Sequence, residues 1–141
     1  MQPKLIFLDF DGVLHPCTAG TFIYLDRFHA FLHDHPDVRV VLSTSWRNDH
    51  PWPALLGLFA LELQGRFLGV TPELDAALPA VREAEIELWR REHGFLGAPW
   101  VALDDDASLF SPGCPELVLC ETIRGLRPTQ LEQIKRKLWL D

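Results

Sequence analysis

Cysteine is scarce: Cys17, Cys114 and Cys120 are all the chain has, and no two form a CxxC pair. An odd count without that spacing supports neither a disulfide framework nor a zinc cage, and buried thiols in a reducing cytoplasm are the simplest reading. Long hydrophobic runs are missing too. The apolar stretch that starts at Leu5 ends at Asp9, far too short for a signal peptide, and no later segment is long enough to cross a bilayer. A soluble cytoplasmic protein is expected. Positive charge is in deficit, with 13 Lys and Arg against 20 Asp and Glu and a formal net charge of -7. That balance argues against a broad nucleic-acid-binding surface, while leaving room for a local basic cleft. The chain also has no internal repeat, low-complexity tract or long linker.

What is present is an ordinary globular composition, 48% hydrophobic and 23% charged over 141 residues. That length suits one domain, residues 1–141, with one sizeable core. Leu5–Leu8, Val38–Leu42, Trp100–Leu103 and Leu117–Cys120 are short apolar runs of the kind that forms strands covered on both faces, with Phe67–Val70 a minor strand. Helical spacing predicts helices over Tyr24–His35, Pro53–Leu61, Pro79–His93 and Pro128–Leu140. In the third of these, Val81, Ala84, Leu88 and Trp89 are expected to face the core, with Glu83, Glu87, Arg90 and Arg91 toward water. Gly12–Phe22 reads as a loop, with His15 on an exposed flap. Strands and helices alternate, which argues for an α/β domain: a Rossmann-like three-layer sandwich with a mainly parallel sheet. In such folds ligands bind at the carboxyl ends of the strands.

Those ends carry the chemistry. The stretch KLIFLDFDGVLHP passes from a buried strand straight into Asp9 and Asp11. The second strand ends at Ser43, and the third runs into Asp104, Asp105 and Asp106. An acid after a strand is often only a turn former. Three such ends at one sheet edge are harder to assign to turns alone. Two unit charges 4 Å apart repel by about 4 kcal/mol at an effective dielectric near 20. A hard divalent cation with oxygen ligands, Mg²⁺, is the natural counterweight. Phe10 points away from the two acids between which it lies and should pack.

The order and wording of these segments resemble the haloacid dehalogenase (HAD) superfamily of phosphohydrolases. LDFDGVL is similar to its first motif, VVLSTSWR to its second and VALDDD to its fourth. STSWR, VREAEIELWRREHG, WVALDDD and GLRPTQLEQIKRKL resemble most closely the HAD domains of Swiss Army knife RNA repair proteins, over nearly the whole chain. The resemblance implies that Asp9 is a nucleophile forming an aspartyl-phosphate and that Asp11 is the general acid and base. It implies that Ser43 holds the phosphoryl group, and that Asp9, the backbone carbonyl of Asp11, and Asp104 or Asp105 hold Mg²⁺. Arg82 is the choice for the third-motif cation. A cation near a helix start is mildly unfavourable unless it faces phosphate or carboxylates. Gly12, Thr44 and Arg47 are the remaining expected substrate contacts, with Gly12 sparing the phosphate a Cβ.

Members of the superfamily often carry an inserted cap. Here 32 positions separate Asp11 from Ser43 (11 to 43) and 39 separate Ser43 from Arg82 (43 to 82), and both intervals are used by the elements already assigned. A capless enzyme with an open cleft is expected, suited to a large phosphorylated substrate such as a nucleic-acid end or a phosphoprotein, with a nucleic-acid end or nucleotide the expected partner. Trp46 and Trp52 read as cleft-wall or core residues, with base stacking the alternative. Arg124, Arg127, Lys135, Arg136 and Lys137 read as a solvated helix face, with phosphate binding the alternative. Two rival classes remain: a phospho-receiver domain, in which the acids would fall in a different order along the chain, and a non-catalytic module that binds Mg²⁺ or phosphate.

Overall fold

The computed structural model describes residues 2–15 and 22–141. Cys17 and most of the second half of the expected Gly12–Phe22 loop lie outside the described residues. Five strands form one sheet: β1 (Lys4–Leu8), β2 (Val38–Leu42), β3 (Phe67–Val70), β4 (Trp100–Asp104) and β5 (Leu117–Leu119). Their order across the sheet is β3-β2-β1-β4-β5, and every neighbouring pair is parallel. Parallel pairing demands crossover connections, and the helices α1 (Leu25–Asp34), α2 (Trp52–Leu56), α3 (Val81–Glu92) and α4 (Pro128–Lys137) lie within them or follow the last strand. The chain winds outward from β1 through β2 to β3, then returns to the other side of β1 for β4 and β5. The gap beside β1 is therefore a topological switch point, where α/β sheets form ligand crevices.

Strand alternation sorts the core into two layers. Ile6, Leu8, Val40, Leu42, Val101 and Leu103 join one cluster with Phe28, Phe31 and Leu32 of α1 and Ile134 of α4. Leu5, Phe7, Val41 and Ala102 join another with Ile86 and Trp89 of α3. Phe7 lies edge-on to Trp89 and Trp100, with ring centroids 5.8 and 5.7 Å away.

The helices differ in detail from expectation. α2 stops at Leu56, because Gly57 follows and glycine costs about 1 kcal/mol in a helix interior. The chain then forms a separate 3₁₀ turn at Leu61–Arg66. α3 begins at Val81 because Ala80 takes a left-handed conformation, φ 48°. α4 ends at Lys137, and Trp139 is left-handed beyond it. On α3 the fully buried face is Glu85, Ile86 and Trp89, whereas Val81, Ala84 and Leu88 are half-buried. Glu83 does not face water: it accepts hydrogen bonds from the Ser111 backbone N–H and hydroxyl at 2.9 and 2.8 Å. Cys120 is buried as expected, but Cys114 is only half-buried. Among the described residues no helix is long and apolar enough to cross a membrane.

Phe7 joins the central strand to the α3 layer and has no exposed surface. Phe7→Ala should cost about 3–5 kcal/mol, read as a lower urea midpoint at unchanged slope.

Candidate active site

Register determines which side chains meet. Leu8 of β1 pairs with Leu42 of β2 and with Leu103 of β4. One residue further on, Ser43, Asp9 and Asp104 therefore stand side by side across three adjacent strand ends. Backbone bonds extend the ladder to them: the Ser43 N–H donates to Leu8 O at 2.8 Å and the Asp9 N–H to Leu103 O at 3.1 Å. Alternation then sets the side. Phe7, Val41 and Ala102 face α3, so two residues later Asp9, Ser43 and Asp104 do as well. Phe10 falls on the other face, fully buried against Phe22, Trp46 and Phe59.

The first turn of α3 brings Arg82 over this row. One of its terminal nitrogens lies 3.0 Å from Asp104 Oδ2, 3.3 Å from Asp9 Oδ1 and 3.1 Å from the Ser43 carbonyl oxygen. Burial disfavours the Arg82 charge, but the Asp104 and Asp9 carboxylates more than offset this and raise its pKa. The acids are strained in the opposite sense. Burial, and then the charge of Asp104, push the Asp9 carboxyl well above the ordinary carboxylate range, with Arg82 pulling it back. Burial pushes the Asp104 carboxyl up to about 6, against the pull of Arg82 and of the Asp106 N–H.

Asp105 completes the acidic group. Asp9, Asp104 and Asp105 each offer a carboxylate oxygen, and these oxygens lie within 4.8 Å of one another. Three clustered carboxylates form the all-oxygen donor set that a hard divalent cation takes. The oxygens are unequally committed. Asp104 Oδ2 is held by Arg82 and its Oδ1 by the Asp106 N–H at 3.0 Å. Asp105 Oδ2 accepts from the Thr122 hydroxyl at 2.9 Å, and among the described residues Oδ1 accepts no hydrogen bond. Asp9 Oδ1 takes both Arg82 and the Phe10 N–H, and among the described residues Oδ2 accepts no hydrogen bond. Gly12, at φ 74°, lets Asp105 come this close, since a Cβ there would lie 2.2 Å from Asp105 Oδ2. Its side-chain-free face is thus turned to a carboxylate.

The other expected residues take distinct places. The Ser43 hydroxyl is buried and has no partner among the described residues. Thr44 is fully buried, and its hydroxyl accepts the Trp46 N–H at the start of the 3₁₀ turn Ser45–Asn48. Arg47 spends its guanidinium on Glu85 at 3.0 Å and Thr71 at 3.1 Å, a pairing that explains how Glu85 can be buried on α3. Arg47, Arg82 and Glu85 line a cleft of about 520 Å³ beside the acids. The Asp11 carboxylate is 44% exposed and stands apart from the three-acid group. It accepts the Trp46 indole N–H, 3.2 Å from both of its oxygens. His15 is not an exposed flap residue: it is 1% exposed, with Nε2 3.1 Å from Asp11 Oδ1 and its ring against Phe22 and Trp46. Asp106 is exposed and caps the 3₁₀ turn Ala107–Leu109. Cys120 is no nucleophile, as burial and then Asp104 push its thiol up to about 12.

The basic side chains at the end of α4 lie elsewhere. Lys137 Nζ donates to the Pro115 carbonyl, just before β5, and Trp139 O accepts from Lys4 at the start of β1. The end of α4 is thus at the amino ends of the strands, opposite the acids. Lys135 and Arg124 pair with Glu132 and Glu121.

A family model for the HAD domain in Swiss Army Knife RNA repair proteins matches residues 5–131. The chain belongs to that HAD family. Its parallel sheet, with the acids at the carboxyl ends of the central strands, is the HAD arrangement, and at family level the chain is a HAD-type phosphohydrolase. No curated protein and no solved structure shows significant similarity to it.

The raised carboxyls make stability depend on pH. Native Asp104 holds a proton that the unfolded chain has lost, so its contribution is full below about pH 4 and disappears as pH rises through about 6. In chelator, Tm should fall by on the order of 5–10 °C between about pH 4.5 and 7. Asp104→Asn should flatten that slope in a melting series, and an unchanged slope would contradict the assignment.

Proposed function

We propose that this HAD domain is a Mg²⁺-dependent phosphatase that works through an aspartyl-phosphate on Asp9. The observation that carries the reading is the state of the Asp9 carboxylate: buried, with Arg82 on Oδ1 and, among the described residues, no hydrogen bond to Oδ2. A carboxylate is a weak nucleophile, and positioning together with charge neutralisation is what makes it competent toward a phosphoryl group. In the first step Asp9 Oδ2 attacks phosphorus while the ester oxygen leaves with a proton from Asp11. In the second, Asp11 takes a proton from water, whose oxygen displaces Asp9 and yields inorganic phosphate. The Ser43 hydroxyl, which has no partner among the described residues, and the Arg82 guanidinium bind the non-bridging oxygens. A buried hydroxyl left unpaired costs about 1–3 kcal/mol, which a phosphate oxygen would recover.

Asp9, Asp105, Asp104 and the backbone carbonyl of Asp11 would hold the Mg²⁺, with Asp105 the better placed of the adjacent pair because its Oδ1 accepts no hydrogen bond among the described residues. When bound, the ion supplies positive charge against the phosphoryl oxygens.

The intervals around Ser43 hold α1, α2 and β3, which supports a capless, open cleft and a substrate presenting its phosphate on an exposed end. The matched family is named for RNA repair, which favours a nucleic-acid end over a small metabolite. The test is phosphate release from p-nitrophenyl phosphate and from a 3′-phosphorylated oligonucleotide, with and without Mg²⁺. Turnover should require the ion, favour the oligonucleotide, and fall by at least about 1,000-fold in Asp9→Asn. Mg²⁺ binding without turnover on any phosphoester would instead indicate a non-catalytic module.

A further inference from the structure

Asp11 poses a problem that the other acids do not. Asp9 and Asp104 have side chains only 7% and 2% exposed, whereas that of Asp11 is 44% exposed. A half-exposed carboxylate on two rotatable bonds spreads over rotamers unless something holds it. Proton transfer, however, needs a heavy-atom approach of about 2.6–3.2 Å.

We infer that Trp46 is a positioning residue for Asp11, a role that rests on Asp11 being the general acid and base. The indole N–H lies 3.2 Å from each Asp11 oxygen. Indole nitrogen donates and does not accept, so it restrains the carboxylate without competing for the proton in transit. The ring is itself held. Phe10 and Phe22 meet it edge-on with centroids 5.5 and 5.1 Å away, and His50 stacks on it at 5.3 Å. Its backbone N–H is anchored to Thr44 Oγ1, directly after the strand-end Ser43. His15 closes in on Asp11 Oδ1 from its own loop. The Asp11 carboxylate is therefore tied to the same strand end that carries Ser43, although Asp11 and Trp46 are 35 residues apart.

The consequence is selective. Protonating the leaving oxygen matters little for p-nitrophenolate, a stable anion, and much for phenolate or an alkoxide. Trp46→Phe keeps an aromatic ring in the cluster and removes only the N–H. The test measures kcat/KM, which reports the step that expels the leaving group. Substrates are p-nitrophenyl, phenyl and benzyl phosphate, and proteins are wild type, Trp46→Phe, Asp11→Asn and the double variant. In Trp46→Phe, kcat/KM should stay within about 3-fold for the p-nitrophenyl ester and fall about 10- to 100-fold for the benzyl ester. For the p-nitrophenyl ester kcat should fall more than kcat/KM, because Asp11 also serves the hydrolytic step. Adding Trp46→Phe to Asp11→Asn should change nothing beyond about 2-fold. Calorimetric titration with Mg²⁺ should give the same Kd in Trp46→Phe as in wild type, which separates lost positioning from a collapsed site. Equal losses on all three esters, or additive losses in the double variant, would overturn the role of Trp46 while leaving the phosphatase reading intact. No wild-type turnover on any ester would remove both.

Discussion

The site depends on one balance of charge. Three carboxylates share a space in which their nearest oxygens lie within 4.8 Å, and a single guanidinium is lodged against two of them. At that separation each acid pair repels by about 3–4 kcal/mol at an effective dielectric near 20. Arg82 offsets part of this repulsion, and burial adds to what is left: it is burial first, with the charge of Asp105 a smaller contribution, that lifts the Asp104 carboxyl to about 6. A structure that tolerates such repulsion in its interior is poised for whatever relieves it. A proton does so at low pH, and the proposed divalent cation would do so at neutral pH. Phosphate, itself anionic, can then approach a site that would otherwise repel it.

The sheet makes this arrangement almost unavoidable once the strands pair. Parallel register brings Ser43, Asp9 and Asp104 into one row, and the period of two turns all three toward α3. That is why the row was readable in the linear sequence: each strand is a short apolar run with a polar residue at its exit. Arg82 was readable as well, because a cation in the first turn of a helix calls for an anion nearby.

Other parts were not legible, for physical reasons. Thr122 holds Asp105 from 17 residues away, across the end of β5, and no local pattern connects the two. Glu85 lies on the α3 face that also buries Ile86 and Trp89, and only its pairing with Arg47 makes that burial tolerable. Trp46 looked like a wall because its ring is one. Its N–H matters through the position of Asp11, which is set by the turn at Gly12. His15 reads as a polar loop residue until the aromatic cluster of Phe22 and Trp46 closes over it. In each case the deciding contact joins segments far apart in the chain, where periodicity carries no signal.

The proposed chemistry requires Asp9 to be the residue that takes the phosphoryl group. Trapping that bond tests it directly. The protein would be mixed with Mg²⁺ and a turned-over phosphoester, quenched with borohydride, and mapped by mass spectrometry of its peptides. Borohydride reduces an acyl phosphate to an alcohol, so the account predicts homoserine at position 9 and none at Asp11, Asp104 or Asp105. Turnover that leaves Asp9 unmodified, or that marks another acid instead, would contradict it.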